Sequence, residues 1–292
     1  MNVLSLFDGM SCGQIALNRA GIKYDNYFAS EIDKHAIKVT MTNYPNTIQI
    51  GSVTDVKAEN LPKIDLLIGG SPCQGFSFAG KQLNFDDPRS KLFFEYIRLL
   101  KECKPKYFLL ENVKMKKEYE QIITDHLGVE PIFINSALVS AQNRKRLYWT
   151  NIPGVEQPED KGILIDNIIS DCEHHLINIR YPDTIRRTKN YGQYDQTLKG
   201  HGSQDQRFFY RYGKTGCITK SRSSIPKIET DEGIILLTPE EVEALQTVPC
   251  GYTNTVDKPH RYSMLGNGWT VDVIAHIFKG IQEGAIHGQS QN

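Results

Sequence analysis

The sequence has no excess charge of either sign. Its 292 residues include 34 Lys or Arg and 34 Asp or Glu, so the chain as a whole has no net attraction to a polyanion. Any binding of nucleic acid would therefore depend on local segregation of charge, which a neutral total neither supports nor excludes. The length is sufficient for one large domain, or for one domain with a modest insertion.

Closely spaced cysteines and long apolar runs are also missing. The six cysteines lie far apart, none forms a Cys-x-x-Cys pair, and no histidine stands at zinc-finger spacing. The pattern therefore indicates neither a disulfide framework nor a structural zinc site. There is no stretch of 18 consecutive apolar residues, and a strand-like run at 3–7 begins without a basic leader. We expect a soluble, cytoplasmic protein that uses no metal and no membrane.

The first 150 residues alternate short apolar runs with amphipathic stretches. This alternation is typical of a parallel sheet covered by helices. It predicts strands at 2–7, 26–30, 47–50, 64–68, 107–110 and 131–135, and helices at 12–20, 34–43, 92–102 and 117–127. The predicted fold class is α/β, with a doubly wound, mostly parallel sheet and a smaller irregular lobe later in the chain.

From about residue 154 the pattern breaks into short polar segments. Residues 180–229 contain 11 Lys or Arg and 4 Asp or Glu, a local excess of +7, and seven aromatic residues are interleaved with this charge. The mixture suits phosphate contact and base stacking. A solvated loop region with small clusters of its own explains the composition equally well. Beyond it, Thr238 followed by Pro239 predicts the start of a helix.

A glycine-containing turn follows the first predicted strand, with the sequence Phe7-Asp8-Gly9-Met10-Ser11-Cys12-Gly13. In a doubly wound sheet such a turn lets a cofactor approach the strand ends, although a tight strand-to-helix turn requires glycine for structural reasons alone. Glu31 and Asp33 follow the second strand, where a carboxylate can accept hydrogen bonds from ribose hydroxyls. An exposed acidic strand end is common, so this pair is supporting evidence.

A cysteine follows the fourth predicted strand. Residues 69–73 read Gly-Gly-Ser-Pro-Cys, which places Cys73 at the carboxyl edge of the sheet, where ligands bind in such folds. A cysteine needs a polar, partly exposed site to act as a thiolate, and this turn supplies one. Buried cysteines that only fill space are common elsewhere, but the glycines and the proline argue against that explanation here. Cys73 is therefore a candidate nucleophile.

Two further motifs carry groups suited to chemistry. Glu111-Asn112-Val113 ends another apolar strand, and a carboxylate there could hold a proton for a ring nitrogen. An exposed acidic strand end explains this tripeptide equally well. Residues 142–146, Gln-Asn-Arg-Lys-Arg, form a cationic cluster that in most proteins would be a solvated turn.

In combination these motifs resemble those of the DNA cytosine-5 methyltransferase family. The resemblance rests on Ser71-Pro72-Cys73-Gln74, Glu111-Asn112-Val113 and Gln142-x-Arg144-x-Arg146, in this order and spacing. The turn after Phe7, Gly51-Ser52-Val53 and Leu-Gly-Asn-Gly-Trp at 265–269 match further motifs of the family, so the resemblance covers nearly the whole chain except about 154–215. Some details are similar to the animal de novo enzymes and others to bacterial and phage modification enzymes, and a compact prokaryotic or viral enzyme fits both.

Two positions depart from the family pattern. Ser52 stands where the family often has Asp, at a position that contacts adenine, which puts that contact in doubt. Ser71 stands where most bacterial members have Pro or Phe, but the de novo branch also has Ser there.

The resemblance implies an S-adenosylmethionine-dependent methyltransferase that acts on a cytosine flipped out of double-stranded DNA. The implied catalytic residues are Cys73, which adds to C6; Glu111, which stabilises protonated N3; Arg146, which binds O2; and Arg144. The implied cofactor-binding residues are Phe7, Asp8, Gly9, Ser11, Gly13, Glu31, Ile32, Ser52, Val53, Pro72, Leu92, Asn267 and Trp269.

Three functional regions follow from this interpretation. They are a catalytic and cofactor-binding core at 1–153, a target-recognition region at 154–235 and a segment that returns to the core at 236–292. A monomer is the working expectation. An RNA-specific member of the family, a catalytically silent binding subunit and a different doubly wound enzyme with a reactive cysteine remain as alternatives. The recognised DNA sequence is not readable from a residue-to-base code.

Overall fold

The computed structural model describes residues 1–71, 88–170, 174–177, 186–193, 207–221 and 224–289. The chain divides into two compact units. The first consists of Met1–Ile134, Lys145–Gln157 and Val271–Asn292, and the second of Asn135–Arg144 and Pro158–Thr270. The three functional regions predicted from the sequence have other bounds and stay a prediction.

Seven described strands form the sheet of the first unit: β1 (Asn2–Leu6), β2 (Asn26–Ser30), β3 (Ile48–Gln49), β4 (Leu66–Gly69), β5 (Tyr107–Val113), β6 (Ile132–Asn135) and β7 (Lys145–Thr150). Their order is β3-β2-β1-β4-β5-β7-β6. β1 is parallel to β2 and to β4, and β4 is parallel to β5, whereas β7 is antiparallel to β5. The strand order reverses between β1 and β4, so the carboxyl ends of these two strands mark the place where doubly wound sheets bind ligands.

Seven α-helices occur in the described residues: α1 (Cys12–Arg19), α2 (Lys34–Asn43), α3 (Pro88–Cys103), α4 (Lys117–Leu127), α5 (Pro239–Leu245), α6 (Lys258–Asn267) and α7 (Val271–Gln289). α2 begins where the Asp33 side chain accepts hydrogen bonds from two backbone amides, and α4 ends at Gly128 with φ 70°. Thr238 caps α5 with Pro239 as its first residue, as the sequence predicts. None of these helices is long and apolar enough to cross a bilayer.

The core of the first unit explains why the sequences of its strands are mostly apolar. Helices cover the sheet, so side chains such as Leu4, Leu67 and Leu110 are fully buried. α3 contributes Phe93 and Tyr96 to the same cluster. The α/β fold predicted from the alternation of apolar runs is confirmed.

Two boundaries differ from the sequence prediction by three residues or more. α3 begins at Pro88 rather than at residue 92, because proline is tolerated in the first turn of a helix and the prediction began at the first apolar residue. β5 continues through Glu111 to Val113 rather than ending at Leu110, because β7 pairs with it as far as Val113 opposite Arg146. Glu111 therefore lies within a strand and not after one.

The second unit is built on a smaller sheet. Its described strands are β8 (His175–Leu176), β9 (Arg186–Arg187), β10 (Tyr191–Gln193), β11 (Arg207–Tyr210), β12 (Lys227–Thr230) and β13 (Gly233–Leu236), in the order β8-β13-β12-β11-β10-β9. Phe208 and Ile234 form a small buried cluster on this sheet. The break in the α/β pattern at about residue 154 thus corresponds to a change from long helices to short, mostly antiparallel strands.

Candidate active site

The turn between β1 and α1 has an unusual backbone. Phe7 and Ser11 have φ of 58° and 64°, in the left-handed region that residues with a Cβ rarely adopt, and Gly9 has φ 58°. The Ser11 amide donates to the Asp8 carbonyl at 3.1 Å, which closes the turn. Backbone strain of this kind persists only where the surrounding structure enforces it, and it is concentrated at ligand sites.

The two glycines of this turn serve different purposes. A Cβ on Gly13 would lie 2.5 Å from Ile68 Cδ1 and 2.5 Å from Tyr27 Oη, so only glycine lets α1 approach the sheet this closely. A Cβ on Gly9 would meet no atom of the described residues within 4 Å. Gly9 is therefore required for its backbone conformation, and it leaves open space above the end of β1.

Asp8 lies under the turn. The Tyr27 hydroxyl donates to its Oδ1 at 2.7 Å, and burial raises the pKa of Tyr27 well above its usual value, so this hydroxyl remains a donor. Oδ2 of Asp8 is buried and has no hydrogen-bond partner among the residues that the structure describes. Burial raises the pKa of Asp8 from 3.8 to about 6, even though the Tyr27 hydrogen bond acts in the opposite direction.

Glu31 connects this turn to the end of β2. Its Oε2 accepts a hydrogen bond from the Gly9 amide at 2.7 Å, and its Oε1 accepts from the amides of Ile32 and Asp33 at 2.7 and 2.8 Å. The adjacent Ile32 is 77% exposed. An ionised carboxylate can accept about four hydrogen bonds, so Glu31 keeps acceptor capacity for a ligand.

A second turn follows β3. Gly51 has φ 77° and open space at its Cβ position, and the Ser30 hydroxyl donates to its carbonyl at 2.8 Å. Ser52 caps a short 3₁₀ helix, Val53–Asp55, by accepting from the Thr54 amide at 3.4 Å. The Val53 side chain is buried. Leu92, on α3, is half-buried against the main core.

Glu111 and Arg146 are brought together by the pairing of β5 and β7. Glu111 lies opposite Tyr148, so Arg146, two residues earlier on β7, is its diagonal neighbour. Oε1 of Glu111 lies 2.8 Å from Nε of Arg146, and both side chains are largely buried, with 11% and 13% exposure. The structure thus places the predicted acid group and one predicted base-binding cation in direct contact.

Asn112 ties β5 to the segment after β4. Its Nδ2 lies 3.3 Å from Oγ and 3.4 Å from the carbonyl of Ser71, and both residues are buried. Pro72 and Cys73, which come next, lie outside the described residues. Asn112 lies on the same strand as Glu111. Its contact therefore fixes Ser71, two residues before Cys73 in the sequence, to the strand that carries Glu111.

Arg144 and the residues near Asn267 belong to the second unit. The Arg144 side chain is buried, with Nη1 2.9 Å from the Ile218 carbonyl and Nη2 2.8 Å from the Gly268 carbonyl. These bonds hold the C-terminal end of α6, where Asn267 is exposed, and the half-buried Trp269 follows. The predicted catalytic role of Arg144 and the predicted cofactor contacts of Asn267 and Trp269 stay predictions.

The family follows from comparison with known proteins. A sequence model of the family described as C-5 cytosine-specific DNA methylase matches residues 1–153 and 141–283. The chain belongs to this family. Its enzymes use S-adenosylmethionine as the methyl donor.

Individual relatives agree with this assignment. The orphan methyltransferase M.SPRI of Bacillus phage SPR is 38% identical over 165 residues, 52% of this chain and 38% of that enzyme. The type II methyltransferase M1.ScrFI of Lactococcus lactis subsp. cremoris is 29% identical over 306 residues, 96% of this chain and 78% of that one. The phage enzyme is thus matched over less than half of its own length. The Entamoeba histolytica methyltransferase EhMeth shares the fold, with a TM-score of 0.77, 17% identity and 98% coverage of both chains.

Cationic and aromatic side chains contact each other in the second unit. The Arg207 guanidinium lies 4.8 Å from the centre of the Tyr191 ring, and that of Arg211 lies 5.4 Å from the ring of Tyr212. Tyr212 is 72% exposed. An exposed ring beside a guanidinium group, as at Tyr212, suits stacking and phosphate contact, and the nucleic-acid role suggested by the composition of 180–229 stays a prediction.

Three contacts at the site were not predicted from the sequence. Tyr27 contacts Asp8 from β2, Asn112 contacts Ser71 from β5, and Arg98 on α3 contacts the turn after β3. The family tripeptide that contains Asn112 is the one local signal among them. Tyr27 and Arg98 stand in ordinary apolar or amphipathic patterns, so their contacts follow only from the tertiary structure.

Proposed function

We propose that the chain methylates carbon 5 of cytosine in double-stranded DNA, with Cys73 as the covalent nucleophile and S-adenosylmethionine as the methyl donor. The observation that supports it most directly is the ion pair between Glu111 on β5 and Arg146 on β7. Asn112, the neighbour of Glu111 on β5, contacts Ser71, which precedes Cys73 by two residues. The type II and phage methyltransferases among its relatives favour a prokaryotic or phage modification enzyme.

The residues at the ends of β1, β2 and β3 fit the cofactor. At Gly9 and Gly51 no atom of the part of the chain that the structure describes lies within 4 Å of a Cβ position, which leaves room for a ligand to approach. Glu31 has acceptor capacity for ribose hydroxyls, and the exposed Ile32 beside it offers an apolar face to adenine. The carboxyl edge of the sheet at the end of β1 is formed by the turn residues Phe7, Asp8, Ser11 and Gly13. When bound, S-adenosylmethionine supplies an electrophilic methyl group.

The catalytic residues make C5 of cytosine nucleophilic. The Cys73 thiolate forms a bond to C6, and the electron pair displaced from the C5–C6 double bond is delocalised toward N3. Glu111 stabilises the proton on N3, and Arg146 binds O2, so both favour the charge distribution of the adduct over that of the resting base. C5 is then the carbon that would accept the methyl group, with S-adenosylhomocysteine as the leaving group. The C5 proton passes to water, and the electron pair of the C5–H bond re-forms the C5–C6 double bond and expels the Cys73 thiolate.

The target base must leave the duplex for this reaction. A base stacked inside a duplex does not present C6 to a thiolate, and methyltransferases solve this by flipping the nucleotide out. We assign selection of the DNA sequence to residues from about 154 to 215, which break the α/β pattern. Guanidinium groups there supply phosphate contact, and other side chains read base edges.

Sequencing of methylated bases tests this function. DNA from cells that express the chain is read by bisulfite sequencing, with cells that express Cys73→Ser as the matched control. We expect 5-methylcytosine at one recurring sequence in the first sample only. Methylation of cellular RNA with unmodified DNA would show an RNA-specific enzyme instead. No methylation of either would indicate a silent binding subunit.

A further inference from the structure

Arg98 on α3 contacts the turn after β3 through its backbone. Its Nη2 donates to the carbonyls of Val56 and Val53 at 2.9 and 3.3 Å. Nε and Nη1 donate to the carboxylates of Glu95 and Glu102 at 2.8 and 2.9 Å. The two carboxylates hold the guanidinium in one orientation, and all three of its nitrogen atoms are engaged by the protein.

The same turn, residues 51–56, is also held by a hydrogen bond at its first residue and by two side chains that pack into the core. The Ser30 hydroxyl at the end of β2 donates to the Gly51 carbonyl at 2.8 Å. The side chains of Val53 and Val56 are both 5% exposed and pack into the main core. Side chains from β2 and α3 therefore secure the 51–56 turn at both ends, although it forms only a short 3₁₀ helix of its own.

We propose that Arg98 is a positioning residue for S-adenosylmethionine, because it holds the 51–56 turn in the conformation in which Ser52 and Val53 meet the adenosine half of the cofactor. The inference rests on the proposed function, which places the cofactor at this turn. Arg98 itself does not contact the ligand. A turn that is ordered before binding spares the ligand the entropy cost of ordering it, so the effect appears as affinity.

Arginine is suited to this role by its shape. Its planar guanidinium presents five N–H groups in fixed directions, so one side chain bonds two carboxylates and two carbonyls at once. A lysine ammonium has three donors on a flexible stem and cannot reproduce the same arrangement. Replacement by lysine should therefore rescue the function only in part.

The test is a calorimetric titration of the full chain with S-adenosylhomocysteine and, separately, with adenosine. Arg98→Met should weaken the binding of both ligands by about tenfold, the size expected for two charge-assisted hydrogen bonds that hold a binding element. Arg98→Lys should fall between wild type and Arg98→Met. Lys101→Met, an exposed position on the same helix, is the matched control and should bind both ligands as wild type does.

The comparison of the two ligands separates an effect on the adenosine side of the cofactor from one on its amino-acid side. Because Arg98 acts on the adenosine side, the ratio of the two dissociation constants should stay constant while both rise. Steady-state kinetics should show a raised KM for S-adenosylmethionine with little change in kcat. Ser30→Ala removes the hydrogen bond to the Gly51 carbonyl and should also weaken the binding of both ligands. It decides the question if Arg98→Met does not fold.

Three results would overturn the inference. Arg98→Met could bind both ligands within about twofold of wild type, a difference too small for the lost hydrogen bonds. It could lose affinity for S-adenosylhomocysteine but not for adenosine, or it could lower kcat with KM unchanged. A wild-type chain that binds these ligands but methylates no DNA would refute the proposed function and leave the role of Arg98 intact.

Discussion

Glu111 and Arg146 are diagonal neighbours on antiparallel strands, and the carboxylate oxygen lies 2.8 Å from the guanidinium nitrogen. Each side chain is held by the other before any base is present. In the proposed reaction this pair presents a fixed acceptor and a fixed donor to the cytosine ring, which lowers the reorganisation needed when charge develops on that ring.

We predict that Glu111→Gln lowers the single-turnover methylation rate by roughly 10²-fold or more, because an amide cannot hold the proton of N3. DNA affinity should remain mostly intact, since Arg146 stays in place. The measurements are the rate of methyl transfer and the DNA dissociation constant. Glu118→Gln, an exposed position on α4, serves as the control. A parallel loss of rate and affinity would indicate that the ion pair is structural.

Cys73→Ser should abolish covalent trapping. DNA with 5-fluorocytosine at the target position should form a denaturation-resistant complex with the wild-type chain and cofactor, because fluorine at C5 cannot leave as a proton does. The complex is detected by denaturing electrophoresis. Cys103→Ser, on α3, should trap as well as wild type. If Cys73→Ser also traps normally, the nucleophile is another residue.

Gly13→Ala should destabilise the chain by roughly 1–3 kcal/mol, because the new methyl group would overlap Ile68 and the Tyr27 hydroxyl. In a Tyr27→Phe background one of these two overlaps disappears, so the same substitution should cost less. Urea unfolding of the four proteins of this cycle measures the coupling. Gly128→Ala, where φ is 70° and the Cβ position is open, should cost the same in both backgrounds. A Gly13→Ala cost independent of Tyr27 would contradict the packing argument.

Asp8 should make stability fall as pH rises. Its pKa is raised from 3.8 to about 6 by burial, so ionisation disfavours the folded state. This penalty is absent below about pH 4, grows between about pH 4 and 6 and is complete above that range. Relative to Asp8→Asn, the free energy of unfolding of the wild type should drop by roughly 2–3 kcal/mol from about pH 4 to about pH 7.

Chemical denaturation across that pH range measures the difference for Asp8. The absolute stability of Asp8→Asn also reflects its new buried amide, so the change with pH is the decisive quantity. Asp125→Asn, on an exposed part of α4, should run parallel to wild type. A difference between wild type and Asp8→Asn that does not vary with pH would show that Asp8 titrates normally.

Exchange of residues 154–215 for the matching segment of another family member should transfer the recognised DNA sequence. The segment carries cation and aromatic pairs such as Arg207 with Tyr191. Replacing a phosphate-contacting cation should weaken binding to all sequences and change the salt slope by roughly 1, whereas replacing a base-reading residue should lose about 1–3 kcal/mol of discrimination. Sequencing of methylated DNA is the measurement. An active chimera that keeps the original site would refute the assignment.

The sequence predicts those parts of the structure that depend on local pattern. The strand at 26–30 and the helices at 34–43 and 117–127 are correct to the residue, because apolar periodicity and a capping residue define them. The family motifs assign Glu111 and Arg146 to one predicted site, and the pairing of β5 with β7 places them in contact. The extension of β5 beyond Leu110 could not be predicted, because it depends on a partner strand more than 30 residues later in the chain.

The remaining contacts of the site depend on tertiary pairs without a local signal. Arg98 reaches a carbonyl 45 residues earlier in the chain, and Arg144 reaches one 124 residues later. Arg144 and Arg146 look equivalent in the motif. In the structure Arg144 holds the end of α6, whereas Arg146 contacts the carboxylate of Glu111. A pattern of residue types does not distinguish these two roles, because both use the same donors.

α7, the last helix in chain order, packs against α1, the first. Gln282 donates to the Ala20 carbonyl at 2.9 Å, and Arg19 forms an ion pair with Asp272. During synthesis on the ribosome the helix that follows the Phe7–Gly13 turn therefore emerges long before its covering partner. The apolar surface of α1 stays uncovered until more than 250 further residues have been made, so the first unit completes its folding late. A product that stops before Val271 would leave that surface open to aggregation.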